Sequence, residues 1–243
     1  MSDNSVRQRP RANLSAGRYT SYAFSVEATI GGRGMRYLVG RRLNQHRAVT
    51  ALFVLSPSNL AGTHVWISED AADGGCDVVT YVPTMKSPIH LVERHILGCL
   101  PLTDIGYLDL MAWRYPGLGA SQESHPADMS WSQWATAKAH SYRGPASTPG
   151  LTVTEAVDPA SGVIVARAIE RLNVPVRRWE VVELGDPETD SLPRRIRVSR
   201  PQTGHVTELC RTTEPVQVPE AEFDTTPAEL SRAIERALAD DAA

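Results

Sequence analysis

The stretch YAFSVEATIGGRGMRYLVGRRL, residues 22–43, sets the architecture of this chain. In its first half, the even positions from Tyr22 to Ile30 are all apolar, whereas the odd positions carry Ala, Ser, Glu and Thr. This alternation with a period of two predicts a strand that has one buried face and one solvated face. A cluster of glycines then breaks the strand, and residues 35–43 are predicted to return as the second arm of a hairpin.

The same β-rich pattern recurs along most of the chain. Nine further runs are predicted to be strands, at residues 48–55, 63–68, 77–82, 88–94, 151–157, 163–171, 176–184, 192–199 and 204–211. Their short connections favour antiparallel neighbours. Because a sheet of about eleven strands must curve strongly, we expect a mainly β protein with helices (α+β), built on an unclosed antiparallel half-barrel.

Helical spacing interrupts the strands in the middle of the chain and returns at its end. Residues 103–112 show this spacing behind a possible N-cap at Thr103, and residues 128–142 form a second predicted helix. At the C-terminus, Thr226 and Glu229 form a capping box for a helix at residues 227–240. We therefore predict a flexible tail at residues 1–17 and a single domain at residues 18–243, with a helical insertion near residues 103–143.

Composition excludes several classes of protein. The 243 residues carry a net charge of −3, which argues against nucleic acid as a partner. No apolar run approaches the ~20 residues of a membrane-spanning helix. The N-terminus lacks the apolar region of an export signal, which predicts a cytoplasmic protein. The three cysteines and seven histidines show no metal-ligand spacing, and nucleotide-binding motifs are missing, so no metal and no cofactor are expected.

Aromatic and methionine side chains are candidates for binding an apolar ligand. If the inserted helices cover the concave face of the sheet, an apolar cavity is expected between them. The predicted ligand-binding residues are Trp66, Tyr81, Met85, Met111, Trp113, Trp131 and Trp134. The alternative is that these side chains simply fill a dry core, as aromatic residues commonly do.

Titratable side chains are concentrated at residues 90–109. If the strand that begins at Pro88 continues to His95, then Glu93 and His95 lie on the same face. A histidine oriented by a carboxylate is a workable general base, and a nearby acid would complete a proton-transfer site. The predicted catalytic residues are Glu93, His95, Asp104, Tyr107 and Asp109. The alternative is a solvated strand face that carries ordinary surface charges.

Short motifs along the chain resemble those of a known family. These are GTHVWI at residues 62–67, DVVTYVPTM at residues 77–85 and TDIGYLDL at residues 103–110, followed by LPRRIRV at residues 192–198 and TGHVTE at residues 203–208. Together they resemble the outer-membrane lipoprotein-sorting family, the LolA/LolB-like proteins. The resemblance spans roughly residues 18–225, and it implies an unclosed half-barrel, capped by helices, that holds acyl chains in a hydrophobic cavity.

Three hypotheses for function follow. The first is an enzyme that binds an apolar polyketide- or lipid-like molecule and promotes a cofactor-independent acid/base step, such as cyclisation or isomerisation, in a biosynthetic pathway. The second is a non-catalytic carrier or binding protein for a lipid or acyl ligand. The third, less favoured, is a partner-binding module whose C-terminal helix docks on another chain instead of on its own sheet.

Overall fold

The computed structural model of the protein describes residues 15–17, 19–30, 32–100, 103–119, 121–123, 129–134, 137–185 and 190–241. Within these residues, strands form one antiparallel sheet, in the order β6-β5-β4-β3-β2-β1-β13-β12-β11-β10-β9-β8-β7. The strands are β1 (Ser21–Ile30), β2 (Arg33–Leu43), β3 (Arg47–Ser56), β4 (His64–Asp70), β5 (Gly75–Tyr81), β6 (Ile89–His90), β7 (Ser121–Glu123), β8 (Lys138–Arg143), β9 (Leu151–Val157), β10 (Ile164–Arg171), β11 (Val174–Glu183), β12 (Arg195–Arg200), β13 (His205–Arg211) and β14 (Val216–Gln217).

The sheet is not closed into a barrel. Its two ends, β6 and β7, do not pair with each other in the described parts of the chain. Strand β1 lies near the centre, where it pairs with β2 along its whole length, with β13 over Val26–Ile30 and with β14 at Tyr22 and Ala23. The prediction of a large, unclosed antiparallel sheet with a few helices is therefore confirmed.

The two faces of the sheet have different coverings. We call the face that packs against residues 96–111 the inner face, and it carries Tyr37, Leu52, Val65 and Val181, all fully buried. We call the opposite face the outer face. A helix, α2 (Pro227–Asp241), packs on it through Leu230 and Ile234, against a second apolar cluster of the sheet.

Helix α2 follows the predicted capping pattern closely. The Glu229 carboxylate accepts a hydrogen bond from the backbone N–H of Thr226 at 3.0 Å, and the Thr226 hydroxyl accepts one from the N–H of Glu229 at 3.3 Å. This reciprocal pair satisfies N–H groups that would otherwise lack partners at the helix start. The helix docks on its own sheet, which leaves its apolar stripe covered and removes the basis of the partner-docking hypothesis.

Two predicted elements in the middle of the chain are wrong. Residues 138–142 of the helix predicted at 128–142 lie in strand β8, which pairs with β9. The strand is favoured because Tyr142 faces the inner core while Ser141 faces the other side, where its hydroxyl lies 2.9 Å from that of Thr154. The strand predicted at residues 88–94 ends after His90, and Glu93–His95 form a 3₁₀ turn.

The helix expected behind Thr103 is also much shorter than predicted. It is a single turn, α1 (Tyr107–Leu110), whose N-cap is Gly106. The Thr103 hydroxyl instead accepts a hydrogen bond from the N–H of Ile105 in the preceding turn. Residues 1–14 of the predicted N-terminal tail lie outside the described residues, as does Asp128.

In the portion of the chain that is described, no helix combines the length and apolarity that a membrane crossing demands.

The docking of α2 on the outer face is testable at Gly40. A Cβ atom at this position would lie 2.7 Å from Ile234 Cδ1, so we expect Gly40→Ala to lower the free energy of unfolding by about 1–3 kcal/mol. Urea denaturation of wild type and variant measures this difference.

Gly34→Ala is the matched control, because Gly34 lies on the same strand and a Cβ there would meet nothing within 4 Å. We expect it to be neutral or slightly stabilising. If Gly40→Ala were equally neutral, or if removing the Ile234 Cδ1 atom by Ile234→Val did not reduce its cost, the packing described here would be incorrect.

Candidate ligand-binding site

One segment of the chain covers part of the inner face of the sheet. We call residues 103–113, which include α1, the plug segment. Its apolar side chains Ile105, Leu108 and Met111 are buried in the same core as the inner face of the sheet. Its polar groups cannot reach water from there, so each requires a partner on the sheet.

The first polar anchor of the plug segment is Asp104, whose side chain is almost completely buried. Its carboxylate accepts hydrogen bonds from Arg200 Nε at 2.6 Å and from the Thr207 hydroxyl. The ring nitrogen Nδ1 of His205 lies 2.8 Å from it. Burial raises the pKa of Asp104, but the bonds from Thr207 and Arg200 outweigh burial and leave the pKa below its ordinary value.

The second anchor is Asp109, which joins α1 to β10 and β11. Its carboxylate forms ion pairs with Arg167 and, at 3.2 Å, with Arg177. Arg167 also pairs with Glu155 on β9 at 2.8 Å, so the charges form a buried network. The absence of a side chain at Gly106 makes room for this network, because a Cβ there would overlap the guanidinium of Arg177.

Two further anchors hold the end of the plug segment. Arg41 on β2 donates a hydrogen bond from Nη2 to the carbonyl oxygen of Leu110. Glu69 on β4 accepts hydrogen bonds from the backbone N–H groups of Ala112, at 2.7 Å, and Trp113, at 3.1 Å. The plug segment is therefore tied to strands on both sides of β1.

A cavity of about 100 Å³ lies between the plug segment and the sheet. Its wall is mainly apolar and comes from β1, β2, β3, β11, β12, β13, the plug segment and residues 192–194. The apolar and aromatic lining residues are Tyr22, Phe24, Val26, Tyr37, Val39, Leu52, Ile105, Leu110, Trp179, Leu192, Pro193, Ile196, Val198 and Leu209. The chemistry of this wall suits an aliphatic chain.

Charged groups interrupt the apolar wall of the cavity. They are Arg41, Asp109, Arg194 and Arg211. Burial raises the pKa of Tyr22 to about 12, while the positive charges of Arg41 and Arg211 act in the opposite direction. The phenol of Tyr22 therefore stays protonated and lies close enough to both cations to sense their charge.

The aromatic residues predicted to bind ligand lie elsewhere. Trp66 packs against the outer-face cluster, and the ring of Tyr81 lies 5.2 Å from that of His64, at a tilt of 33°, also on the outer face. Trp131 and Trp134 pack on the outer side of β9 and β10, beside Ala156 and Ala166. All four lie on the face opposite to the plug segment, and none is among the residues that line the cavity described above.

The other three predicted ligand-binding residues do not line the cavity as it is described either. Met111 is fully buried in the inner core, and Trp113, the last residue of the plug segment, packs in a separate small cluster with Ala48. Met85 lies in the turn after β5, where its N–H donates to the carbonyl oxygen of Val82.

The five predicted catalytic residues are not brought together. Glu93 and His95 are exposed on the 3₁₀ turn, where the Glu93 carboxylate accepts a hydrogen bond from Ser147. Asp104 and Asp109 are engaged in the two ion-pair networks. Tyr107 is buried in the core, and burial raises its pKa. The predicted pairing of Glu93 with His95 on one strand face is wrong, since the strand ends before both.

Several buried charged residues on the inner face of the sheet were not among the residues predicted from the sequence. Arg41 follows Met35, Tyr37 and Val39 at the same parity on β2, and Glu69 follows Val65 and Ile67 on β4. Residues 167, 177, 200 and 211 also share the parity of buried apolar residues in their strands. A charged residue at an apolar position of a strand was therefore the signal that could have identified them.

Comparison with solved structures supports the fold. A domain from Vibrio parahaemolyticus, described as an outer membrane lipoprotein-sorting protein domain, superposes with a TM-score of 0.67 at 12% identity, over 91% of this chain and 93% of that one. A LolA superfamily protein from Nitrosomonas europaea gives 0.58 at 13% identity, over 89% and 95%. A DUF1329 family protein from Desulfovibrio piger gives 0.54 at 12% identity, over 79% and 82%.

No family model and no curated protein matches the sequence. The structural neighbours confirm the LolA-like fold to which the short motifs pointed. At identities of 12–13%, these neighbours establish the fold of the chain and do not identify its ligand.

The buried network around Asp109 predicts a large effect of its removal. Asp109→Asn leaves Arg167 and Arg177 short of a counter-charge, and we expect it to lower the free energy of unfolding by about 3–5 kcal/mol. Urea denaturation measures the effect. Asp224→Asn is the control, because Asp224 pairs with Arg42 at 2.9 Å but is 68% exposed, so its loss should cost less than about 1 kcal/mol. Equal effects of the two substitutions would contradict the assignment.

The lowered pKa of Asp104 predicts a loss of stability in acid. Its carboxylate binds protons more weakly in the folded than in the unfolded chain, so its contribution is present above the ordinary pKa and lost as the pH falls through the folded pKa. Between about pH 5 and pH 2, we expect Asp104→Asn to lose less stability than wild type.

Thr207→Val provides the matched variant for this experiment. It keeps the carboxylate but removes one hydrogen bond to its charged form, which raises the folded pKa toward the unfolded value. The pH dependence of unfolding should then lie between those of wild type and Asp104→Asn. Three parallel curves would show that Asp104 does not titrate as described.

Proposed function

We propose that this protein binds an acyl chain or a similar apolar molecule in the cavity under the plug segment, as a carrier or binding protein and not as a catalyst. The observation that carries the proposal is the cavity itself, whose wall is largely apolar although charged residues surround it. Apolar cavities with a few placed polar groups are the usual form of small-molecule sites.

The volume of the cavity bears on how a ligand would fit. About 100 Å³ is less than the ~150 Å³ of an apolar cavity that takes up benzene, and well below the ~300–1,000 Å³ of pockets for larger ligands. A complete acyl chain therefore requires the wall to move. The plug segment, Leu192 and Pro193 are the parts of the wall outside the strands, so they can shift without breaking the ladder of the sheet. Arg194 cannot, because its backbone is hydrogen-bonded to Glu183 and to Arg211.

The alternative, a cofactor-independent cyclase or isomerase in a biosynthetic pathway, has less support. That hypothesis needs an acid and a base that face the ligand together. Of the five predicted catalytic residues, Asp109 alone is among the described residues of the cavity wall, and two arginines already occupy its carboxylate. A carrier role is also supported by the structural neighbour from Vibrio parahaemolyticus, which is described as a lipoprotein-sorting protein domain.

A substitution that fills the cavity tests this proposal. Val26 lines the cavity from β1, and Val26→Phe adds a ring to the space that the chain would occupy. We expect wild-type protein purified under native conditions to carry a lipid in native mass spectrometry, and delipidated protein to bind a labelled fatty acyl probe. Val26→Phe should weaken this binding at least about tenfold, since a displaced buried chain loses several methylene contacts.

Val206→Phe is the matched control, because Val206 is 45% exposed and points away from the inner face. It should bind the probe like wild type. Equal binding by Val26→Phe and wild type would place the ligand outside this cavity. Conversion of a bound molecule to a new product by the purified protein would favour the catalytic alternative.

A further inference from the structure

Arg41 is an exception among the buried arginines of the described residues. Arg167 and Arg177 are each paired with a buried carboxylate, and so is Arg211, which lies 2.9 Å from Asp190. Arg41 is 2% exposed and makes one hydrogen bond, to a backbone carbonyl. Its Nη1 has no hydrogen-bond partner in the described residues. A guanidinium this deeply buried is ordinarily neutralised.

The carboxylate that shares the cavity wall with Arg41 is already committed. Asp109 is bound by both Arg167 and Arg177, and the carboxylate of Asp190 is bound by Arg211. Of the arginines among the described residues of the cavity wall, Arg194 pairs with Glu214 and Arg211 with Asp190, so Arg41 is the one that has no carboxylate partner. Because the surroundings are apolar, its charge would be worth more to an anionic ligand than a charge on the surface.

We propose that the acyl ligand ends in a carboxylate, which Arg41 binds at one end of the cavity while the chain lies along its apolar wall. This inference rests on the proposed function and specifies its ligand class. Tyr22 is the cross-strand neighbour of Arg41 on β1 and is also one of the residues that line the cavity.

A carboxylate fits this position better than a phosphate. A single guanidinium supplies one positive charge, which matches a monoanion, whereas a phosphate headgroup can carry up to two negative charges. The small volume of the cavity also favours a compact headgroup on a single chain. Arg41 is a binding residue in this assignment and takes part in no chemical step.

The test compares three probes of equal chain length on delipidated protein: palmitate, 1-hexadecanol and hexadecyl phosphate. Isothermal titration calorimetry, with each probe below its micellar concentration, gives the affinities. We expect wild type to bind palmitate at least about tenfold more tightly than 1-hexadecanol, as for a buried hydrogen bond between charged groups. Arg41→Met should lose this preference while it still binds 1-hexadecanol, and Arg41→Lys should retain part of it.

Glu69→Gln is the matched control, because it weakens another anchor of the plug segment without removing a positive charge. It should keep the preference for palmitate. The inference is overturned if wild type binds palmitate and 1-hexadecanol equally, if Arg41→Met keeps the preference, or if hexadecyl phosphate binds more tightly than palmitate. If Arg41→Met does not fold, the relative affinities of wild type for palmitate and 1-hexadecanol still test the inference. Failure of all three probes to bind would overturn the proposed function as well.

Discussion

Buried charge on the inner face of the sheet is the constraint from which the rest of this structure follows. Strands that otherwise bury Val, Leu and Ile on this face also place Arg167, Arg177 and Glu69 there. Charges in an apolar interior require counter-charges and hydrogen bonds. The plug segment supplies them with two carboxylates, a carbonyl oxygen and two backbone N–H groups. A chain segment with only one helical turn is thereby fixed across the sheet, although its own helical hydrogen bonds could not hold it.

The two coverings of the sheet are stabilised by different physics. On the outer face, α2 packs by an apolar stripe against Leu38, Phe53 and the bare backbone at Gly40. That contact is non-directional, because it depends on apolar area removed from water. On the inner face, ion pairs and hydrogen bonds fix the plug segment at specific atoms. The difference explains why a cavity persists on the inner side: polar anchors set where the plug segment lies, and its apolar side chains do not collapse fully onto the sheet.

Period-two alternation was sufficient to predict most of the sheet, because successive side chains of a half-buried strand point alternately to the core and to solvent. Sequence periodicity failed where the spacing of apolar side chains does not reflect the local secondary structure. Trp131 and Trp134 have helical spacing, yet they lie in turns that pack against β9 and β10. Residue type alone does not identify the wall of a cavity: Trp66 is aromatic, but its parity is opposite to that of Val65 and Ile67, which places it on the outer face. An apolar cavity was predicted, but its lining residues were not, since its wall joins strands distant in sequence.

An unclosed sheet also determines how such a cavity can change its size. In a closed barrel the ladder fixes the diameter, so enlarging the interior would break hydrogen bonds between strands. Here the terminal strands β6 and β7 are two and three residues long, and they are not joined in the described parts of the chain. Edges this short offer little template for pairing with another chain. The inner volume can therefore change with the position of the plug segment without loss of hydrogen bonds between strands. A ligand anion near Arg41 would bind Nη1, while Nη2 still holds the Leu110 carbonyl.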